Sequence, residues 1–320
     1  MDVSVIIPTY NRPDDLSDAI QSILIQSVIP KEIIVVDSAI NLATENIIRG
    51  FKSTECRVNF LYLQNPIDSS AVARNIGSKI SSGDILLFLD DDVVLEKNYI
   101  KEILKIYYEY PICLVAQGNV ISSSKEISKN KKLWNKFWNL YCKFFCLVHG
   151  TANEMRVLKS GQNTTPPSPS KIINCQWASG CNFSIRKEIF EKYQFDDKLI
   201  KYSYGEDKDL SYRIFKDNKK SILLTPEAKL VHKGSFNKSS PVKKAIIMEK
   251  AYSLYFVSKN LGRPINYLYF LWSEVGSLIR NIVYLILFFR KKGKYFILKI
   301  GYDMYAYYVC FINFPKIKDL

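Results

Sequence analysis

Residues 83–92 read GDILLFLDDD, and this stretch decides both the fold and the place of its chemistry. Ile85–Leu89 is a short, wholly apolar run bounded by polar residues, and such a run predicts a buried strand. Three aspartates follow directly at 90–92, and adjacent carboxylates repel one another unless water solvates them or a hard cation binds them. An acidic run is more often a solvated surface than a metal site, so its position in the fold must decide between the two.

Further strands and helices are predicted to alternate on both sides of this stretch. Short apolar or β-branched runs predict strands at 3–7, 33–36, 58–63, 181–185 and 222–224. Helical spacing with start and stop residues predicts helices at 13–27, 69–81, 187–193 and 206–217. Strands separated by helix-length segments pair in parallel. The sequence therefore predicts an α/β protein with a doubly wound, mostly parallel sheet flanked by helices.

The carboxyl ends of the predicted strands carry polar residues that suggest a ligand site. In a doubly wound sheet, ligands bind in the crevice outside these ends. The segment 8–10, Asp37 and the run 90–92 all lie there, and Arg74 belongs to a predicted helix that should border the same crevice. Carboxylates suit Mg²⁺ or Mn²⁺ and ribose hydroxyls, whereas arginine suits phosphate. The pattern predicts a site for a nucleoside diphosphate with its metal ion.

Composition limits the class of protein and its partners. The 320 residues are 48% hydrophobic and 24% charged, which excludes global disorder. The formal charge of +14 indicates an anionic partner: nucleic acid, acidic lipid or substrate phosphate. No nucleic-acid-binding module is recognisable, so nucleic acid is not predicted. The opening MDVSVIIPTYN lacks a signal-peptide pattern, and seven scattered cysteines without C-x-x-C argue against disulfides and zinc, so a cytoplasmic protein is predicted.

Residues 121–172 and 241–320 differ in character from the rest. The first region joins an aromatic run at 133–141 to a Pro- and Ser-rich loop, which suits either a lid or membrane-facing element, or a core helix with a surface loop. The second region contains NIVYLILFF at 281–289, followed at once by the basic run 290–292.

A membrane-crossing span is not expected in the second region. A span needs about 20 apolar residues, and Glu274 and Arg280 interrupt the apolar stretch. Apolar helix faces flanked by basic and aromatic residues favour a peripheral position on the cytoplasmic face of an anionic membrane. The alternative is that these helices pack on the catalytic domain or on another subunit of a homo-oligomer.

Six sequence blocks resemble family 2 glycosyltransferases, the inverting enzymes with an A-type (GT-A) fold. They occur in the order expected for the family across roughly residues 1 to 235. They read VSVIIPTYNR (3–12), EIIVVD (32–37), ARNIG (73–77), GDILLFLDDD (83–92), ASGCNFSIR (178–186) and GEDKDL (205–210). The resemblance implies an enzyme that moves a sugar from a nucleoside-diphosphate sugar to a hydroxyl acceptor, with inversion at the anomeric carbon.

The resemblance also implies roles for individual residues in donor binding. The nucleotide-sugar-binding residues would be Pro8, Thr9, Tyr10, Arg12, Asp37, Arg74, Asp90 and Asp91. The ligands of Mn²⁺ or Mg²⁺ would be Asp92, Asp90 and His232, the histidine being alternatively a structural residue. The chain departs from the usual pattern in two places. Asp91 stands as the spacer between two aspartates, which leaves the metal-holding carboxylate undecided, and Ser38 replaces a second acidic residue after Asp37.

The inverting reaction needs a base, because the acceptor hydroxyl loses its proton as it attacks. Glu206 and Asp207 match the Glu-Asp pair of the family, and Asp207 is the favoured base; without the resemblance, the pair also suits a helix N-terminus. The acceptor residues would be Trp177, Ser179 and Gly180, with core packing as the alternative role of Trp177.

Departures from the family pattern narrow the predicted reaction. The Gln-x-x-Arg-Trp motif of processive synthases is missing, so transfer of one sugar per encounter is predicted, to a lipid-linked or surface-polysaccharide glycan. Two alternatives are a sugar nucleotidyltransferase, which should have a Gly-rich loop after the first strand, and a non-catalytic membrane-associated protein, which should lack the carboxylates. The predicted domains are a catalytic domain at 1–240 and a helical region at 241–320. The former comprises a nucleotide-sugar half (1–120), an insertion (121–172) and an acceptor and base half (173–240).

Overall fold

The structure, a computed structural model, describes residues 1–39, 42–54, 57–121, 129–150, 154–166, 169–200, 204–234 and 242–318. Its strands are β1 (Val3–Thr9), β2 (Glu32–Asp37), β3 (Asn59–Gln64), β4 (Ile85–Leu89), β5 (Val93–Leu95), β6 (Val115–Ile121), β7 (His149–Gly150), β8 (Thr164–Thr165), β9 (Ile173–Asn174), β10 (Asn182–Arg186) and β11 (Ile222–His232). Its helices are α1 (Pro13–Leu24), α2 (Ala43–Thr54), α3 (Ser70–Ile80), α4 (Tyr99–Glu109), α5 (Lys129–Phe144), α6 (Lys187–Lys192), α7 (Glu206–Asp217), α8 (Lys243–Phe256), a π-helical turn (Val257–Leu261), α9 (Pro264–Ile312) and α10 (Phe314–Lys318).

The main sheet has the strand order β3-β2-β1-β4-β10-β6-β11-β5, with β9 paired to β11. Strands β1 to β4 pair in parallel, as do β6 and β11. Strand β10 runs antiparallel to both β4 and β6, and β5 and β9 run antiparallel to β11. Helix-length crossovers join the parallel strands, as their buried apolar runs require. The predicted α/β fold with a mostly parallel sheet is confirmed.

Burial on both faces fixes the direction of β4. All its residues are buried. The ring of Phe88 lies 5.1 Å from that of Phe183 on the neighbouring strand β10, and 5.3 Å from those of Phe190 and Phe195. Such aromatic contacts add to the burial of apolar area. The acidic run 90–92 therefore leaves the sheet from a rigid support.

Helix α3 lies close to the sheet at Gly77. A Cβ atom at this position would come within 2.7 Å of the Ile6 side chain in β1 and 3.3 Å of Val36 in β2. The glycine thus permits a helix-to-sheet distance that no larger residue allows. One turn earlier on the same helix is Arg74, whose position this packing sets.

Strand β11 is longer than the sequence predicts. The predicted strand at 222–224 continues to His232, through a shift in its register with β6 between Leu224 and Lys229. Beyond the shift, His232 pairs with Val93 of β5. The irregularity carries the strand on to the edge where the acidic run 90–92 lies.

The described chain divides into two compact units. The first comprises 1–124, 152–154 and 168–235, and we call it the catalytic unit after the role predicted for its residues; the second, the helical unit, comprises 125–151, 155–167 and 236–320. Much of the predicted insertion at 121–172 thus groups with the C-terminal helices. The predicted domain boundary at 240 falls on residues outside those that the structure describes, as does the start of the insertion at 122–128. The functional division into domains stays a prediction.

The element α9 of the helical unit consists of two antiparallel helical arms joined by a turn, and we call it the α9 hairpin. The hydroxyl of Tyr307 donates to the carboxylate of Glu274 at 2.8 Å, and Asn281 donates to Asp303 at 2.7 Å. In a straight helix, residues 33 positions apart would lie about 50 Å apart. Non-helical backbone angles at Phe288 and Lys292 mark the turn between the two arms, 264–287 and 293–312.

A buried ion pair joins α8 to the hairpin. Lys250 contacts Glu274 at 2.5 Å, and both side chains are less than a tenth exposed. Taken as one element, α9 is long and apolar enough to cross a membrane by length and composition. That criterion is also met by core helices of soluble proteins, and the position of the helical unit relative to a membrane stays a prediction.

Candidate active site

Three predicted metal ligands converge at the ends of β4 and β11. Asp90, Asp92 and His232 each offer a ligand atom, and these atoms lie within 4.8 Å of one another. His232 Nε2 lies 2.9 Å from an oxygen of Asp92, and this hydrogen bond raises the pKa of the imidazole although partial burial opposes the rise. Two carboxylates and an imidazole are a donor set that divalent cations accept. The residues present fit a bound Mn²⁺ or Mg²⁺.

The remaining aspartate of the run has partners of its own. The hydroxyl of Thr9 donates to Asp91 at 2.8 Å, and one guanidinium nitrogen of Arg12 lies 3.2 Å from both Asp91 and Asp92. Burial raises the pKa of Asp91 to about 6, although Thr9 and Arg12 both lower it. Asp91 therefore ties the loop after β1 to the acidic run and is not part of the three-residue cluster.

Arg74 joins the metal-ligand cluster to helix α7. Its side chain is 2% exposed, and it donates to Glu206 at 2.6 Å and to Asp90 at 2.8 Å. Its Nε is a buried donor with no hydrogen-bond partner in the described part of the chain. The guanidinium also lies 5.5 Å from the ring of Phe195. One buried cation thus holds together two acidic regions that are far apart in sequence.

Helix α7 presents Asp207 in a fixed orientation. Its two carboxylate oxygens accept hydrogen bonds from the backbone amides of Gly180 and Lys208, each at 2.7 Å. Gly205 adopts a left-handed conformation with φ of 80° at the start of the helix, a backbone that favours glycine. Burial raises the pKa of both Glu206 and Asp207, and the amides that bond Asp207 only partly oppose this. A carboxylate with a raised pKa is a better proton acceptor.

The predicted acceptor residues are held in place by hydrogen bonds with two residues that the sequence analysis does not identify. Gln117 of β6 accepts a hydrogen bond from the Ser179 amide at 3.0 Å and donates to the Trp177 carbonyl at 3.2 Å. Ser211 of α7 accepts from the Ala178 amide at 3.0 Å. Trp177 is only 8% exposed, as core packing requires. No sequence motif marks Gln117 or Ser211; the available signal is a buried polar residue, Gln117, directly after the apolar start of β6.

The predicted nucleoside residues lie at the ends of β1 and β2. Thr9 and Asp37 are direct neighbours in the parallel register, as are Pro8 and Val36. Asp37 is fully buried and accepts hydrogen bonds from the Ala39 amide at 2.8 Å and the Tyr62 hydroxyl at 3.3 Å. The side chain of Tyr10 is 53% exposed. Thr9 therefore lies between the carboxylates of two strand ends.

Curated relatives with matching sequences are glycosyltransferases. The chain is 30% identical over 149 residues to the GalNAc(5)-diNAcBac-PP-undecaprenol beta-1,3-glucosyltransferase of Campylobacter jejuni, a match over 42% of this chain and 48% of the relative. It is 33% identical over 105 residues to the poly(ribitol-phosphate) beta-N-acetylglucosaminyltransferase TarP of Staphylococcus aureus, over 32% of this chain and 31% of the relative. The chain thus spans less than half the length of these relatives.

A solved structure has a similar fold, and a family profile matches the sequence. The mannosyltransferase PcManGT of Pyrobaculum calidifontis, in complex with GDP-Man and Mn²⁺, matches with a TM-score of 0.57 and 14% identity, over 95% of this chain and 84% of that one. This likeness is one of fold. The profile of glycosyl transferase family 2 matches residues 4–194, which is more than half of the chain. The protein is therefore a member of glycosyl transferase family 2.

Proposed function

We propose that the chain transfers a single sugar from a nucleoside-diphosphate sugar to a hydroxyl acceptor, with inversion at the anomeric carbon. The observation that carries this proposal is the pair of hydrogen bonds from Arg74 to Asp90 and Glu206. Through them, a cluster suited to a divalent cation adjoins the helix that begins with Glu206 and Asp207. An inverting transfer from a diphosphate donor needs both centres, one for the leaving group and one for the nucleophile.

The cluster of Asp90, Asp92 and His232 would hold Mn²⁺ or Mg²⁺. Such a cation, when bound, neutralises the charge that develops on the leaving diphosphate. Arg12 contacts Asp91 and Asp92, so it orients the acidic run and adds positive charge on the donor side. The carboxylates of this region outnumber its cationic side chains, and this surplus of negative charge supports cation binding. The carboxylates are those of Asp90, Asp91, Asp92, Glu206 and Asp207, and the cations are Arg12, Arg74 and Lys208.

The donor would lie over the ends of β1 and β2. Pro8, Thr9 and Tyr10 form the floor there, and the exposed ring of Tyr10 suits contact with a base. Asp37 would contact the ribose, while its hydrogen bonds to Ala39 and Tyr62 hold the carboxylate in place. Arg74 contacts carboxylates on both sides, so we assign it chiefly a positioning role.

Asp207 would accept the proton of the attacking hydroxyl. The bond from the acceptor oxygen to the anomeric carbon forms as the bond to the diphosphate breaks, and the proton moves to the Asp207 carboxylate. Its hydrogen bonds to the amides of Gly180 and Lys208 fix its orientation, and burial raises its pKa. Glu206 is held by Arg74 and Ser70, so it supports the base by positioning.

The acceptor would meet Asp207 beside the segment 177–180. Gly180 contacts Asp207 directly, and Ser179 and Trp177 are fixed by Gln117. The names of two relatives refer to a polyprenyl-diphosphate-linked glycan and to poly(ribitol-phosphate), which supports a lipid-linked or surface-polysaccharide acceptor. We propose that the protein works in the cytoplasm, on the membrane face, with its helical unit on the lipid.

Calorimetric binding of a panel of nucleotide sugars, with Mn²⁺, with Mg²⁺ or with a chelator, tests this proposal. We expect one class of donor to bind only with the cation. Asp92→Ala should weaken that binding by more than the roughly 10- to 100-fold that loss of an outer-shell partner costs a metal site. Asp197→Ala, at an exposed position of the same unit, is the matched control.

Two results would contradict the proposal. Donor binding that changes neither on addition of a chelator nor in Asp92→Ala would contradict the proposed metal site. Formation of a nucleotide sugar from a nucleoside triphosphate and a sugar phosphate, without transfer to any hydroxyl acceptor, would favour the nucleotidyltransferase alternative.

A further inference from the structure

A large basic cavity lies at the turn of the α9 hairpin, within the helical unit. Its volume is about 1080 Å³, and it is lined by residues of both arms. Among the described residues, no acidic side chain lines it, and the cationic side chains that do are Arg280, Arg290, Lys291, Lys292, Lys294 and Lys299. All of them lie outside the segment 4–194 that matches the family profile.

Five of these six cations have no ion-pair partner among the residues that the structure describes. Lys299 pairs with Asp303 at 3.2 Å, and Arg280 donates to the Ser277 hydroxyl. The exposed side chains at 290–292 and at Lys294 make no ion pair with any residue that the structure describes. Like charges held this closely repel one another. The cavity therefore concentrates positive charge that an anionic ligand would neutralise.

Exposed apolar side chains directly precede the basic run in the sequence, and the last of them, Phe289, lines the cavity. Ile286 is 72% exposed, Leu287 53%, Phe288 45% and Phe289 61%. Exposed apolar residues beside a basic cluster suit the boundary between lipid headgroups and acyl chains. A soluble phosphate would neutralise the cations and leave these side chains in water, whereas a lipid surface would accommodate both groups.

We propose that this cavity binds the phosphate of an anionic lipid headgroup, with residues 286–289 inserted beside it. The inference deepens the membrane location proposed above by assigning it a site. Phosphate oxygens would accept hydrogen bonds from the guanidinium and ammonium groups of the cavity. The hairpin turn, rather than a spanning helix, then anchors the enzyme.

Vesicle co-sedimentation of the full chain tests the site. The variant Arg290→Gln/Lys291→Gln/Lys292→Gln/Lys294→Gln should bind phosphatidylglycerol-containing vesicles roughly 600-fold more weakly than the unaltered chain, since each of its four basic residues near an acidic surface contributes about fivefold. The matched control is Lys52→Gln/Lys79→Gln/Lys97→Gln/Lys101→Gln, which removes the same charge from exposed positions of the catalytic unit and should bind nearly as the unaltered chain does. Neutral phosphatidylcholine vesicles should retain little of either protein.

Equal vesicle binding by the two four-residue variants would overturn the inference. So would displacement of the unaltered chain by inorganic phosphate at matched ionic strength, which would show that the cavity takes soluble phosphate. A measurement without substitution guards against misfolding: added salt should release the unaltered chain from anionic vesicles, and salt-independent binding would also contradict the site. Donor binding measured without vesicles should be the same in all three proteins, so a failure of the proposed reaction stays distinguishable from a failure of this site.

Discussion

Two buried cations, Arg74 in the catalytic unit and Lys250 in the helical unit, hold their surroundings together in different ways. Lys250 contacts a single carboxylate, Glu274, which also accepts the hydroxyl of Tyr307. Arg74 bridges two carboxylates, and its Nε has no partner among the described residues. The pair in the hairpin is balanced locally, whereas the network around Arg74 retains surplus negative charge. Uncompensated charge, rather than burial itself, distinguishes a candidate site from a structural ion pair.

The largest effect expected in the catalytic unit comes from Asp207→Asn. The asparagine side chain keeps one oxygen that can accept a hydrogen bond from the backbone amide of Gly180 or Lys208, but it cannot take up a proton. Sugar transfer should therefore fall roughly 100- to 10,000-fold. Donor binding should be unchanged, because the metal-ligand cluster is intact. Initial rates of transfer and calorimetric donor binding check this. Transfer at the parental rate would refute Asp207 as the base.

The contrast between the two cations is tested by Arg74→Met and Lys250→Met. Each substitution leaves buried carboxylates without a counter-charge, and the free energy of unfolding should fall by about 3–5 kcal/mol in both. Only Arg74→Met should also lose metal-dependent donor binding, since only Arg74 contacts a proposed metal ligand. Denaturant unfolding and donor titration measure the two effects. Equal loss of donor binding in both variants would show that stability alone is responsible.

A compensated variant completes this test. Replacing the whole hairpin network, in Lys250→Met/Glu274→Leu/Tyr307→Phe, should recover most of the lost unfolding free energy, because apolar packing often replaces a buried ion pair at little cost. The corresponding replacement around Arg74 would remove Asp90 and Glu206, so stability can be recovered there but donor binding cannot. If the triple variant does not regain the lost unfolding free energy, the ion pair in the hairpin contributes more to stability than apolar packing can replace.

The sequence predicts some elements with nearly their observed bounds and misses others, among them helices α2 and α4 and strand β6. Strand β4 and helix α7 have the predicted bounds, 85–89 and 206–217. Strand β11 is predicted too short because Pro226 and Glu227 interrupt its apolar run, and the strand continues past a register shift there. The hairpin in α9 is not predicted, because no proline marks its turn and its pairing depends on contacts between distant residues.

The residues of the candidate site likewise divide into those that the sequence predicts and those that it misses. Asp90, Asp92 and His232 are predicted as metal ligands from the order of the motifs and the strand ends, and the structure places their ligand atoms close together. Gln117 is not predicted, because a side chain that bonds two backbone groups of the segment between β9 and β10 leaves no pattern in its own sequence neighbourhood. Residues that position others through tertiary hydrogen bonds can be identified only from a three-dimensional structure.

The smallest effects expected come from a matched pair of glycines, one in each unit. A Cβ at Gly77 would crowd Ile6, and a Cβ at Gly276 would crowd the side chain of Phe145. Both glycines are helical, so alanine costs about 1–3 kcal/mol of overpacking and regains about 1 kcal/mol of helix propensity. Each variant should lose roughly 1 kcal/mol of unfolding free energy.

Donor binding should separate the two glycine variants. Gly77→Ala displaces α3 and with it Arg74, so metal-dependent donor binding should weaken severalfold. Gly276→Ala alters only packing within the helical unit and should leave donor binding unchanged, which donor titration beside denaturant unfolding would measure. If both variants bind donor as the unaltered chain does, a shift of α3 does not reach the cluster, and Arg74 positions it less tightly than its hydrogen bonds to Asp90 and Glu206 imply.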